Sequence, residues 1–66
     1  MSQTHTKIGV LHGGFSRERE VSLRSGKNVM NALESKGYDV VGLDPINSDI
    51  ISEIKRCDVD LVFNVL

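Results

Sequence analysis

Gly13-Gly14-Phe15-Ser16-Arg17-Glu18-Arg19-Glu20-Val21-Ser22-Leu23-Arg24-Ser25-Gly26 is the stretch on which the fold turns. A short apolar run, Ile8-Gly9-Val10-Leu11, precedes it and a helical pattern follows, so it reads as a strand-to-helix elbow. Two glycines let the backbone turn sharply and leave room for a ligand. Beyond them, a serine and a run of charged residues stand where a helix begins.

Upstream of the elbow, Lys7 to Leu11 is rich in β-branched and leucine residues and predicts a buried strand, with Met1 to Thr6 as a loose tail. Downstream, the pattern from about Glu20 to Lys36 is helical. Steps of about 100° put Val21, Leu23, Ser25, Gly26, Val29, Met30, Ala32 and Leu33 on one broad packing arc. Glu20, Arg24, Lys27, Asn28, Asn31 and Glu34 share the opposite side. Ser25 and Gly26 are small, which lets a helix lie close against a sheet. Glu20 and Arg24 are spaced for an exposed i,i+4 pair worth about 0.3 to 0.5 kcal/mol. Gly37, after the basic Lys36, predicts a left-handed cap.

Tyr38 to Asp44 returns to strand character and closes at the turn signal Asp44-Pro45. Asn47-Ser48-Asp49 then offers a cap for a short helix through about Arg56. Ile50, Ile51 and Ile54 form its apolar side, and Asp49 and Glu53 lie toward its positive end. Leu61 to Leu66 is a third apolar run, entered through Asp58-Val59-Asp60. The order β-α-β-α-β, with strands joined by helices, predicts parallel strands and right-handed crossovers: a Rossmann-like α/β half-fold with the first strand central. Two helices cover three strands poorly, and parallel sheets need both faces covered. Residues 7–66 are therefore expected to form an incomplete Rossmann-like N-terminal domain.

Composition bounds the function. A chain of 66 residues holds one small domain, and 39% hydrophobic with 26% charged residues is the make-up of soluble globular protein. A net charge of -1 and few aromatics supply neither a basic field nor a stacking platform, which argues against nucleic acid and anionic membrane surfaces as partners. The lone Cys57 excludes an intrachain disulfide and a paired-cysteine metal site, and reads as a small core residue. The polar N-terminus lacks the apolar core of a signal peptide, and no apolar run nears the ~20 residues of a membrane span. A cytoplasmic protein is expected.

On open parallel sheets, ligands bind beyond the carboxyl ends of the strands. His12 to Glu20, Asp44 to Asn47, and whatever follows Leu66 reach that edge, and the first is rich in polar groups. One reading is anion binding, because glycines before a helix present free N–H groups to phosphate. The specific phosphate-loop spacings are missing, however, and Glu18 and Glu20 sit where an anion wants no negative charge. A second reading inverts the sign: a carboxylate at the helix start stays ionised and binds an ammonium group. A third leaves Glu18 as an ordinary acidic helix-start residue. His12, at the mouth of the first strand, reads as a surface or packing histidine.

The run from Lys7 to Gly26, with Gly37-Tyr38-Asp39-Val40 and Asp44-Pro45 after it, resembles the N-terminus of the D-alanine:D-alanine ligases of the ATP-grasp superfamily. The resemblance covers nearly the whole chain after Thr6. It implies a parent enzyme that joins two D-alanines for peptidoglycan precursors, with ATP converting the first carboxylate to an acyl phosphate that the second amine attacks. Glu18 matches the glutamate that meets the ammonium of the first D-alanine, in an array with a serine and a tyrosine from later domains. Val21 matches a residue lining that substrate site, whereas Arg19 and Glu20 match the motif as structural positions.

The resemblance further implies ATP and magnesium or manganese bound outside this segment, the remaining domains of the same enzyme as partners, and a fragment that is inactive alone. Dimers are common in the resembled family, and relatives use D-lactate or D-serine as second substrate. A His-Gly motif of the family would begin just past Leu66. Two other classes compete. One is a nucleotide-binding or regulatory module, with Gly13 and Gly14 cradling phosphate and Asp44 taking ribose hydroxyls, although Asp44 is more economically a strand-end turn residue. The other is an interaction fragment with no ligand.

Overall fold

A computed structural model describes residues 6–47 and 49–66; the expected tail up to His5, and Ser48 in the expected cap, lie outside the described residues. Five elements follow in the order anticipated: β1 (Lys7–Leu11), α1 (Arg19–Ser35), β2 (Asp39–Leu43), α2 (Ile50–Cys57) and β3 (Leu61–Asn64). The three strands form one parallel sheet in the order β2-β1-β3. The first strand is thus central, as the two helical crossovers require. The third strand is shorter than its apolar run, ending at Asn64.

Strand periodicity assigns the faces. Ile8 and Val10 of β1 pair with Val40 and Gly42 of β2 on one face. There α1 lies over the sheet, with the Met30 sulfur 3.3 Å from where a Cβ on Gly42 would stand. Gly9, Leu11 and Leu43 mark the opposite face, where Val59, just after α2, approaches Gly9. Gly9 leaves the space that Leu43 fills, since a Cβ there would stand 2.6 Å from Leu43 Cδ1. Ile8, Val10 and Leu43 form the small buried core.

Both helices end by identifiable chemistry. At the end of α1, Gly37 takes a φ of 94° and donates to Glu34 O at 3.0 Å, while Tyr38 N donates to Leu33 O at 3.3 Å. This is a Schellman motif, the left-handed cap expected at Gly37. Helix α2 starts on Asp49, whose Oδ1 accepts from Ile51 N at 3.1 Å and whose Oδ2 accepts from Ser52 Oγ at 3.1 Å.

The helical arc needs correction. Its polar side is solvent-facing as expected, but the buried positions of α1 are Ser22 and Gly26, and Val21 and Ala32 are exposed. The arc is narrowed at the edge that holds Val21 and Ala32, and its centre packs on His12: a Cβ on Gly26 would stand 2.6 Å from His12 Cβ, and one on Gly42 2.9 Å from its Nε2. His12 is thus a packing histidine, with its buried Nδ1 lacking a hydrogen-bond partner. Glu20 and Arg24 form no ion pair; among the described residues the pairs are Arg19–Asp44 and Arg56–Glu53. Ile51 is exposed and Cys57 is half-buried rather than in the core, because α2 buries no residue fully.

The close approach at Gly26 yields a test. Gly26→Ala gains about 1 kcal/mol of helix propensity, but the new methyl meets the backbone-attached His12 Cβ, and overpacking costs about 1 to 3 kcal/mol. The clash outweighs the propensity, so the urea midpoint of a full-length protein carrying this chain is expected to fall. A rise would show that the helix and strand can separate at no cost.

Candidate functional site

The elbow occupies the carboxyl edge of the sheet. Gly13 and Gly14 both adopt left-handed φ, 80° and 81°, so the chain reverses from β1 into the loop without a Cβ penalty. Both residues are buried, and Leu66 lies over Gly14, 3.0 Å from where its Cβ would be. Two of the segments expected at this edge meet there, the elbow and the end of β2 at Asp44, and Val65 and Leu66 after β3 pack against them.

Each glycine amide already has an acceptor. Gly13 N donates to Ser22 Oγ at 2.9 Å, and Ser22 Oγ donates to Val65 O at 2.8 Å. Ser22 thereby ties the elbow, α1 and the end of β3 together through one buried hydroxyl. Gly14 N donates to Asp44 Oδ1 at 3.2 Å. A phosphate cradle needs these N–H groups free, so the anion reading of the glycine pair fails.

Asp44 is the hub of the arrangement. Its side chain accepts from Gly14 N, from Ile46 N at 3.2 Å and from Asn47 Nδ2 at 3.4 Å. Arg19 grips it from the helix start, Nη1 to Oδ1 at 3.0 Å and Nη2 to Oδ2 at 2.8 Å. Arg19 Nη1 also donates to Gly14 O at 3.0 Å, closing the loop 14–19 on itself. With its oxygens so engaged, Asp44 offers nothing to a ribose.

Hydrogen bonding from Arg19, joined by Gly14 and Ile46, holds the Asp44 carboxyl down at about 2, against an ordinary 3.8. A depressed carboxyl contributes stability that is complete above its ordinary value and lost as the pH falls through the folded value. Wild-type protein is therefore expected to lose more stability than Asp44→Asn between about pH 5 and pH 2. Equal losses in urea titrations would show that the pair contributes nothing.

Glu18 is placed differently. It caps the start of α1 by position only, with no side-chain bond to the helix; Ser16 does the capping work, its Oγ accepting from Glu18 N at 3.1 Å and its carbonyl from Arg19 N at 3.2 Å. The Glu18 carboxylate is exposed and unpaired. Val21, 53% exposed, follows three residues later on the same side of the helix. The two site residues named from sequence are both exposed at the helix start, while Arg19 and Glu20 diverge: Arg19 faces the sheet edge and Glu20 faces solvent.

Sequence reasoning missed Ser22 as an organiser and underrated Asp44. Asp-Pro after a strand does signal an Asx turn, and the Ile46 N contact is one. Nothing local distinguishes Ser22 from other helix serines. Among the described residues no group of three or more His, Cys, Asp or Glu could hold a metal ion, and no helix is long and apolar enough to cross a membrane.

The parallel β-α-β-α-β unit, with its elbow at the carboxyl edge of the sheet, defines an α/β domain of the Rossmann-like class. Residues 7–49 match the family described as the D-ala D-ala ligase N-terminus, and the chain belongs to that family. It is 52% identical over 60 residues to a D-alanine--D-alanine ligase of Desulforudis audaxviator, covering 91% of this chain and 19% of that protein. It is 53% identical over 57 residues to the ligase of the same name from Halalkalibacterium halodurans, covering 86% and 18%. With the one from Neisseria gonorrhoeae the identity is 47% over 64 residues, 97% and 21%. The chain thus spans about a fifth of the length of these relatives.

Proposed function

We propose that this chain is the substrate-side N-terminal part of an ATP-dependent ligase that joins two D-alanines into D-alanyl-D-alanine for cell-wall precursors. The observation that carries the reading is the exposed, internally unpaired Glu18 carboxylate on an elbow whose glycine amides are already bonded. Such an elbow offers no free glycine amide to an anion, and its Glu18 carboxylate is a ready group for a cation. In this reading Glu18 meets the ammonium of the first D-alanine and Val21 lines the same site. ATP phosphorylates the first carboxylate to an acyl phosphate, and the second amine attacks its carbonyl carbon, expelling inorganic phosphate.

The described residues do not fit the nucleotide or its magnesium. Gly13 and Gly14 have spent their amides, Asp44 is engaged, and no cluster of metal ligands is present among the described residues. Both are assigned to the remaining domains of the enzyme, which also supply the serine and tyrosine partners of Glu18. The enzyme is cytoplasmic, with a homodimer as its expected assembly. The test is ADP release by the full-length protein, which should require both D-alanine and magnesium. Release indifferent to D-alanine would sink the reading.

A further inference from the structure

The loop that carries Glu18 is tied to β2 through one side chain, that of Asp44. Phe15, Ser16, Arg17 and Glu18 are all exposed, and Phe15 is 76% exposed, so packing does little to fix them. The loop is defined at its ends instead. At one end Gly14 gives its N–H to Asp44 and its carbonyl to Arg19; at the other, Arg19 opens the helix. Asp44 joins both ends, and Ile46 N and Asn47 Nδ2 anchor it in turn.

In ligand terms, a backbone amide of a glycine turn, a second amide and a guanidinium fork make a carboxylate-binding site. Asp44 is the carboxylate that fills it. The fit is close: a Cβ on Gly13 would stand 2.8 Å from Asp44 Oδ2.

We propose that Asp44 is a positioning residue, an internal anion seated between Gly14, Ile46 and Arg19 that locks the elbow and so sets the Glu18 carboxylate for the first substrate's ammonium. The inference rests on the function proposed above for Glu18. It assigns to Asp44 no contact with substrate. The lock also keeps Arg19 neutralised, so that no exogenous anion takes the elbow.

The experiment compares wild type, Asp44→Ala and Asp44→Asn in the full-length ligase. Misplacing a binding group typically costs one to two decades, so Asp44→Ala is expected to raise KM for the first D-alanine about tenfold or more, with KM for ATP held within about twofold. Formate, a free carboxylate of the missing group's size, should restore the D-alanine KM of Asp44→Ala in a saturable manner. Asp44→Asn, which keeps acceptors for Gly14 and Ile46 but loses the ion pair, should fall between the two. Rescue by formate is the readout that simple loss of stability would not give.

An unchanged D-alanine KM in both variants overturns the proposal, as does a uniform loss of activity on both substrates that formate does not relieve. If Asp44→Ala fails to fold, Asp44→Asn and Arg19→Lys decide by the same KM split. Amide exchange at Gly14 separates this inference from the function it rests on. An enzyme that ignores D-alanine refutes the function, whereas a Gly14 amide that exchanges equally fast in wild type and Asp44→Ala refutes the lock.

Discussion

Glu18→Gln in the full-length ligase is expected to raise KM for the first D-alanine by about tenfold to a hundredfold. Hydrogen bonds to charged groups contribute about 1.5 to 3 kcal/mol, and each 1.4 kcal/mol is tenfold in affinity. The substitution preserves size and an acceptor oxygen but removes the charge that an ammonium needs. Glu18 makes no cap bond to α1 and no ion pair, so replacing it disturbs no internal partner. The thermal midpoint should therefore hold while the KM moves. Unchanged kinetics would leave Glu18 as an ordinary acidic helix start, whose interaction with the dipole is worth only about 0.3 to 1 kcal/mol.

The second large effect concerns the 66 residues in isolation. They are expected to unfold over a broad range without a sharp calorimetric peak. Among the described residues the buried apolar side chains are Ile8, Val10 and Leu43, and α2 buries none. Strand β3 is exposed along its whole length, Leu61 at 55%, Val62 at 41% and Phe63 at 47%. Burying such a side chain stabilises by about 1.5 to 3 kcal/mol, against a net stability of about 5 to 15 kcal/mol for an ordinary domain. Leaving three of them half in water removes a large part of that margin. A sharp two-state melt of a monomer, with matching calorimetric and van't Hoff enthalpies, would contradict the expectation.

The elbow shows where residue patterns stop informing. The exposed helix start at Glu18 was legible because an acidic residue there follows a glycine turn and precedes a helical pattern. Asp44 was legible as a turn former but not as the partner of Arg19, 25 residues away in the chain. Ser22 was invisible, since its partners Gly13 and Val65 lie 9 and 43 residues away. His12, expected on the surface or in packing, packs against Gly26 and Gly42. An idealised wheel assigns the buried face by hydrophobicity, and here it included Val21 and Ala32, which are exposed, and left out Ser22, which is buried.

Local chemistry was enough for the elements, their order and the parallel sheet with β1 at its centre. Short apolar runs, the glycine caps and the Asp-Pro turn act within a few residues, and the crossover rule follows from backbone handedness. Long-range contacts alone decided whether the elbow's Gly13 and Gly14 amides are available to a ligand. Whether its amides are free or filled depends on groups brought in from α1, β2 and the chain after β3, and no periodicity encodes that convergence. With Ser22 and Asp44 in those places, the glycine amides are closed to anions, and the Glu18 carboxylate stays in the open beside the exposed Arg17.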